Sequence, residues 1–211
     1  MEGSVPGSPK GVSKNITLSF DVGSKNLAYC LIDNESVKIL DWNVMDIGAA
    51  TYDKQCSKLI EALDNIDYSC GYSGDVKQNI IVLIEKQPSL NPKMRVISGQ
   101  IQMYYALEKQ SCLQNDDLTF ISKIVYYSPK FKLMAYTPME NDIPIIVKKY
   151  STAYSYRKNL SIQHCNITIN RKKDNVLIQD QKWLDFFNSL GSKKDDAADS
   201  FNQSLAYIKG L

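Results

Sequence analysis

The chain has 211 residues, of which 44% are hydrophobic and 23% are charged, as expected for one globular domain with its own core. The net charge of +2 neither requires nor excludes a polyanionic partner, and no run approaches the roughly 18 apolar residues of a membrane span. Five cysteines without a C-x-x-C pair, beside a single histidine, argue against a zinc site or a disulfide framework and favour a reducing compartment.

The first third predicts a leader followed by an antiparallel unit. Residues 1–15 carry too few apolar side chains to pack and are expected to form a disordered leader. Apolar, β-prone runs over 16–21, 27–33 and 37–42 are separated by short polar turns, which favours three antiparallel strands.

The rest of the chain alternates between helical and strand patterns. Helices are predicted over 52–66, 95–110, 153–166, 180–190 and 195–209 from apolar spacing. The continuous apolar run "NIIVLIE" and residues 120–127 are expected to form further strands, whereas 130–150 follows no regular period. Strands first, then alternation, predict an α/β fold with a mixed five-stranded sheet flanked by helices.

One carboxylate interrupts the first strand at Asp21, directly before Val22 and Gly23. The ordinary explanation is a turn, because aspartate caps local N–H groups and glycine tolerates positive φ. A functional role requires partner carboxylates that the fold brings to the same place.

Three candidate partners are present. Glu85 ends the apolar run "IIVLIE", at the kind of strand end where α/β folds place their sites. Asp196 and Asp199 lie three residues apart on one face of the last helix, where helix capping explains Asp196 but not Asp199. Carboxylates without a histidine or cysteine competitor suit Mg²⁺ or Mn²⁺, and two such ions can activate water for phosphodiester hydrolysis.

The motifs that carry these residues resemble those of a known family. In order, "SFDVGSKNLAY", "VLIEKQPSLNP", "YYSP", "YRKNLSI" and "KDDAADSFNQSLAYI" are similar to the motifs of the poxvirus-type Holliday junction resolvases, RuvC-like members of the ribonuclease H fold. The resemblance covers most of 16–209 and implies one nuclease domain over 16–211, with an insertion around 130–150.

The resemblance also implies an activity and a site. It implies a homodimer that nicks four-way and branched DNA symmetrically with two Mg²⁺ per site, Mn²⁺ substituting, and without a nucleotide cofactor. Asp21, Glu85, Asp196 and Asp199 would bind the metal. Lys158, with Arg157 as second choice, would contact the scissile phosphate.

Charge and apolar surface support parts of this picture. Basic side chains of the last third can neutralise phosphates, and those expected on DNA are Lys148, Lys149, Arg157 and Lys158. The segment "RVISGQIQMYYALEK" is apolar almost all round, more than one sheet can cover, which favours self-association. If the chain is viral, as the resemblance implies, the host cytoplasm is the expected location.

Three alternatives remain open at this stage. Actin-like kinases and ATPases share an opening Asp-x-Gly hairpin, but they need a second phosphate-binding domain that 211 residues leave little room for. A ribonuclease H-fold nuclease cutting RNA–DNA hybrids would use the same carboxylates. A non-catalytic module that binds DNA structures would have no use for four of them.

Overall fold

A mixed five-stranded sheet forms the centre of the molecule. The computed structural model describes residues 13–68, 76–115, 119–146, 152–173, 176–177 and 179–211. The sheet order is β3-β2-β1-β4-β5, with β1–β2 and β2–β3 antiparallel and β1–β4 and β4–β5 parallel, which confirms the predicted fold class. The strands are β1 (Ser13–Val22), β2 (Asn26–Asp33), β3 (Ile39–Asp46), β4 (Lys77–Glu85) and β5 (Thr119–Tyr127), with a separate pair β6 (Lys172–Lys173) and β7 (Val176–Leu177).

The helices cover both faces of the sheet. They are α1 (Tyr52–Asp64), α2 (Pro92–Asn115), α3 (Ala153–Ile169), α4 (Gln181–Ser189) and α5 (Lys194–Ile208), with 3₁₀ turns over Pro129–Ala135 and Gly191–Lys193. Apolar side chains of α1 and α2 pack with β1 and β4 in one core, and those of α3, α4 and α5 pack with β2 and β3 in a second. Among the helices of the described residues, none combines the length and the apolar character that a membrane span requires.

Some boundaries differ from those predicted. β1 begins at Ser13, so residues 13–15 belong to the sheet and not to a leader, while residues 1–12 lie outside the described residues. β3 begins at Ile39 instead of residue 37, because Val37 has a φ of 58° in the preceding turn. α2 begins at Pro92, since a proline in the first turn lacks only an N–H that the helix does not use.

The segment around 130–150 is ordered where it is described. It begins with the 3₁₀ turn Pro129–Ala135, which the spacing of apolar residues did not predict. The following residues are tied to the end of α3 by Arg171, which donates from Nε to Asp142 Oδ1 at 3.0 Å and from Nη2 to Asp142 Oδ2 at 2.7 Å. Tyr136 donates its hydroxyl to the same carboxylate at 2.9 Å. The segment is therefore folded back onto the domain.

Two buried polar contacts fix α5 against the sheet. The indole N–H of Trp42 on β3 donates to the Ala197 carbonyl at 3.2 Å, and its ring stacks on Phe187 of α4. Near the middle of α5, the Gln203 amide donates to Ser19 Oγ at 2.9 Å and to the Phe20 carbonyl at 3.2 Å. Gln203 thus anchors α5 to the strand residues that directly precede Asp21.

Candidate active site

Two of the predicted carboxylates lie at one edge of the sheet. β1 and β4 run parallel, and Phe20 pairs with Ile84, so Asp21 and Glu85 follow side by side at the carboxyl ends of their strands. This is the edge where open α/β sheets place ligands. Gln87 donates to Glu85 Oε2 at 2.9 Å and holds that carboxylate in place.

A lysine that sequence reasoning missed lies among the carboxylates. The Nζ of Lys132, on the 3₁₀ turn, is 2.5 Å from Asp21 Oδ1, 3.2 Å from Glu85 Oε1 and 3.3 Å from Asp199 Oδ2. Its side chain is only 5% exposed. Three carboxylates from two strands and one helix therefore converge on a single buried ammonium.

A topological signal for Lys132 was present in the sequence. β5 pairs in parallel with β4, and Tyr127 is the partner of Glu85, so whatever follows Tyr127 leaves the sheet at the same edge as Glu85. Lys132 comes five residues later in "SPKFK". The segment lacks helical periodicity, so the apolar pattern alone predicts no element and no functional residue there.

A hydrogen bond from α3 holds the Asp199 carboxylate in place. Asp199 lies one turn before Gln203 on α5, and its Oδ1 accepts a hydrogen bond from Ser161 Oγ of α3 at 2.5 Å. The same hydroxyl accepts from Asn202 Nδ2 at 2.9 Å. The α3–α5 contact thus sets the direction of the Asp199 carboxylate.

Asp196 lies beside this group and does not contact Lys132. Its Oδ2 accepts a hydrogen bond from Asn26 Nδ2 at 3.1 Å, at the start of β2. Burial, with the charges of Asp195 and Asp21, raises the pKa of Asp196 to about 6. Asp21 is therefore near enough for its charge to act on Asp196. The four predicted carboxylates lie close together in one cluster.

Asp21 and Asp199 are also difficult to ionise. Burial raises the pKa of Asp21, and the adjacent Glu85 raises it further, against the opposing effect of Lys132. Burial likewise raises the pKa of Asp199. The same three carboxylates hold the pKa of Lys132 above its usual range although burial opposes this, so the lysine is charged. With four carboxyl groups beside one ammonium, further positive charge would favour their ionised forms.

The predicted DNA-contacting residues lie in different places. Lys158 on α3 pairs with Asp195, one residue before Asp196, and its ammonium also lies 5.0 Å from the ring centroid of Tyr154. Arg157 is exposed on the same helix. Lys148 and Lys149 fall outside the described residues.

The oxygen donors of the site are of the kind that suits a hard divalent cation. Within the described ranges, no three histidine, cysteine or acidic side chains are already arranged to hold a metal ion. The oxygens of Asp21, Glu85 and Asp199 instead surround the Lys132 ammonium. Carboxylate oxygens are the ligands that Mg²⁺ and Mn²⁺ prefer.

Comparison with known proteins relates this arrangement to a family. A resolvase of variola virus is 24% identical over 212 residues, covering 97% of this chain and 81% of the viral protein. A Holliday junction resolvase of vaccinia virus strain Ankara shows the same identity and coverage. The chain is thus similar to poxvirus Holliday junction resolvases over nearly its whole length. No protein-family model matches it.

The solved structure of a poxvirus resolvase has the same fold. The fowlpox virus Holliday junction resolvase superposes with a TM-score of 0.54 at 22% identity, covering 93% of this chain and 99% of the fowlpox chain. The shared fold therefore extends over nearly the whole chain.

Proposed function

We propose that the chain is a structure-selective DNA endonuclease that resolves four-way junctions by paired, symmetric nicks through metal-dependent phosphodiester hydrolysis. The observation that carries the proposal is the convergence of Asp21, Glu85 and Asp199 on the Lys132 ammonium at the edge of the sheet. The side chains of these carboxylates are 15%, 16% and 29% exposed, and grouping carboxylates in this way is costly unless positive charge balances them. The resolvase relatives supply the substrate class.

The metal ligands of this proposal are Asp21, Glu85, Asp196 and Asp199. They would hold two Mg²⁺, for which Mn²⁺ would substitute. Such ions lower the pKa of a bound water and offset negative charge on the phosphate. Gln87, Asn26 and Ser161 each donate a hydrogen bond to one of these carboxylates and so orient it.

The Lys132 ammonium has two roles in this proposal. In the metal-free protein it balances the carboxylates, and when cations replace it the ammonium is free to contact a phosphate oxygen beside them. Lys158 lies nearby but pairs with Asp195, so its predicted contact with the scissile phosphate remains a proposal. Single-turnover nicking at saturating junction separates the two lysines: Lys132→Ala is expected to slow the chemical step about 10²–10³-fold. A larger effect of Lys158→Ala would assign the phosphate contact to Lys158.

The partner surface of the proposed homodimer is one face of α2. Ile97, Ile101 and Tyr105 are buried against the sheet, whereas Val96, Met103 and Leu107 are about half exposed or more and share another face. We propose that a second copy covers this apolar face, because two identical sites related by a two-fold axis match the two strands that symmetric resolution cuts.

The cysteines and the viral relatives indicate the cellular setting. Cys30 and Cys165 are buried free thiols, which suits a reducing compartment, and the viral relatives favour the host cytoplasm. The proposed reaction needs water and metal but no nucleotide cofactor.

A substrate panel tests the function. The purified protein is incubated with a synthetic four-way junction, a linear duplex of the same sequence and an RNA–DNA hybrid, each in Mg²⁺ and in EDTA. The proposal expects nicks in the junction alone, in opposing strands, and only with Mg²⁺. Preferred cutting of the hybrid would point to a different ribonuclease H-fold nuclease. Junction binding without any metal-dependent nick would point to a non-catalytic module.

A further inference from the structure

A hydroxyl on α3 makes an unusual contact with the Asp199 carboxylate. Serine and threonine in the middle of a helix commonly return their hydrogen bond to a carbonyl four residues earlier. Thr168 on α3 does so to the His164 carbonyl at 2.8 Å. Ser161 on the same helix instead donates to Asp199 Oδ1 on α5 at 2.5 Å.

The direction of this hydrogen bond is forced by Asn202. The Asn202 Nδ2 group lies 3.0 Å from the Ser161 carbonyl and 2.9 Å from Ser161 Oγ, and both atoms accept from it. The reverse orientation of the amide would place its oxygen against the Ser161 carbonyl oxygen, which can only accept. Because Ser161 Oγ accepts from Asn202, its single hydrogen is left for Asp199.

The consequence for Asp199 is that its two oxygens are not equivalent. Oδ1 is committed to Ser161, and Oδ2 faces Lys132 at 3.3 Å. Ser161 and Asn202 are each only 2% exposed, so water does not compete for these bonds. Rotation of the carboxylate would break a buried hydrogen bond and leave a buried polar group unpaired.

We propose that Ser161, oriented by Asn202, is a positioning residue that makes Asp199 present one oxygen to a bound cation and thereby favours Mg²⁺ over Ca²⁺. This inference rests on the proposed metal-dependent function. Mg²⁺ demands a compact, well-defined set of oxygens, whereas Ca²⁺ accepts flexible ligands and both oxygens of one carboxylate. Fixing Asp199 through a neighbouring hydrogen bond suits the smaller ion.

The test compares Ser161→Ala with Ser161→Thr by calorimetric titration of the DNA-free protein with Mg²⁺ and with Ca²⁺. Ser161→Ala is expected to bind Mg²⁺ about tenfold more weakly, while its Ca²⁺ affinity holds or rises. Ser161→Thr keeps the hydroxyl and should retain the wild-type preference. In nicking assays, Ser161→Ala should need more Mg²⁺ for its half-maximal rate. Its nicking rate should be closer to that of wild type at saturating Mg²⁺ than at low Mg²⁺.

An unchanged ratio of Mg²⁺ to Ca²⁺ affinity in a folded Ser161→Ala protein would overturn the inference, as would an equal loss in both Ser161 variants. If Ser161→Ala does not fold, Asn202→Ala decides, because it leaves the hydroxyl without a fixed direction and must move the ratio the same way. Failure of the wild-type protein to bind Mg²⁺ or to nick a junction would refute the proposed function itself. A wild type that does both, beside an indifferent Ser161→Ala, would refute only the role of Ser161.

Discussion

Replacing Lys132 by methionine removes the positive charge at the centre of the carboxylates and leaves an unbranched apolar side chain of similar length. Breaking a buried ion pair by removing one partner costs about 3–5 kcal/mol. Lys132 is 5% exposed and contacts three carboxylates. We expect a loss of about 3 kcal/mol at pH 7.5 in EDTA, which lowers the melting temperature of a domain of this size by roughly 6–12 °C.

The loss should shrink as the pH falls, because a proton can take the place of the ammonium. Without Lys132 the pKa of a folded carboxyl such as Asp21 is raised further, while the unfolded one stays near about 3.9. A group with a raised folded pKa stabilises the protein below the unfolded value and loses that contribution as the pH rises through the folded value. Lowering the pH from 7.5 to 5.5 should therefore stabilise the variant by up to about 2–3 kcal/mol, since one proton contributes about 1.4 kcal/mol per pH unit. Wild type gains less, because its Asp21 pKa is raised less, and the difference between the two proteins shrinks.

The assay is urea or thermal unfolding in EDTA at both pH values, repeated with Mg²⁺. Lys130→Met is the matched control, because Lys130 is exposed two residues away on the same turn. Mg²⁺ should reduce the difference between Lys132→Met and wild type, since a cation then occupies the centre of the carboxylates. A Lys132→Met protein as stable as Lys130→Met in EDTA at pH 7.5 would refute the reasoning.

Three further predictions follow from the same contacts. Asp199→Asn should abolish nicking, while junction binding in EDTA, measured by gel shift, holds or tightens because a repulsive charge has been removed; nicking that persists in the folded variant would count against a metal-binding role. Calorimetric Mg²⁺ affinity should fall as the pH drops through about 6, the raised pKa of Asp196, and Asp196→Asn should flatten that dependence; an equal pH dependence in both proteins would exclude Asp196 as its source. Met103→Glu combined with Leu107→Glu should convert a dimer to a monomer by light scattering, and a monomeric wild type at micromolar concentration would refute the proposed interface.

The sequence was sufficient to locate the carboxylates because each lies where a strong local pattern ends or repeats. Asp21 and Glu85 each end an apolar strand, and parallel pairing of those strands brings them to one edge. Asp199 stands out because capping does not explain it. The order of short hairpin strands followed by alternating elements was likewise enough to predict the mixed sheet, since hairpins force antiparallel pairing and longer connections permit parallel pairing.

The rest of the site depends on contacts between segments distant in sequence. Lys132 lies in a 3₁₀ turn without apolar periodicity, and only the course of the chain after β5 brings it to Asp21, 111 residues away. Ser161 and Asn202 are ordinary polar residues of two helices, and nothing local distinguishes Ser161 from Thr168. Their roles arise from how α3 packs on α5, which the hydrophobic pattern of either helix does not specify.

The most direct measurement is cleavage of a synthetic four-way junction by the wild-type protein and by Asp21→Asn, with Mg²⁺ and with EDTA, the products of each strand being resolved separately. Asp21 is the carboxylate nearest to Lys132 and lies within β1, one residue before its end. The wild-type protein is predicted to cut two opposing strands at symmetric positions in Mg²⁺ and to leave them intact in EDTA, while a folded Asp21→Asn protein binds the junction and cuts nothing. Symmetric cutting by Asp21→Asn, or cutting by the wild type in EDTA, would contradict a metal-dependent junction nuclease centred on these carboxylates.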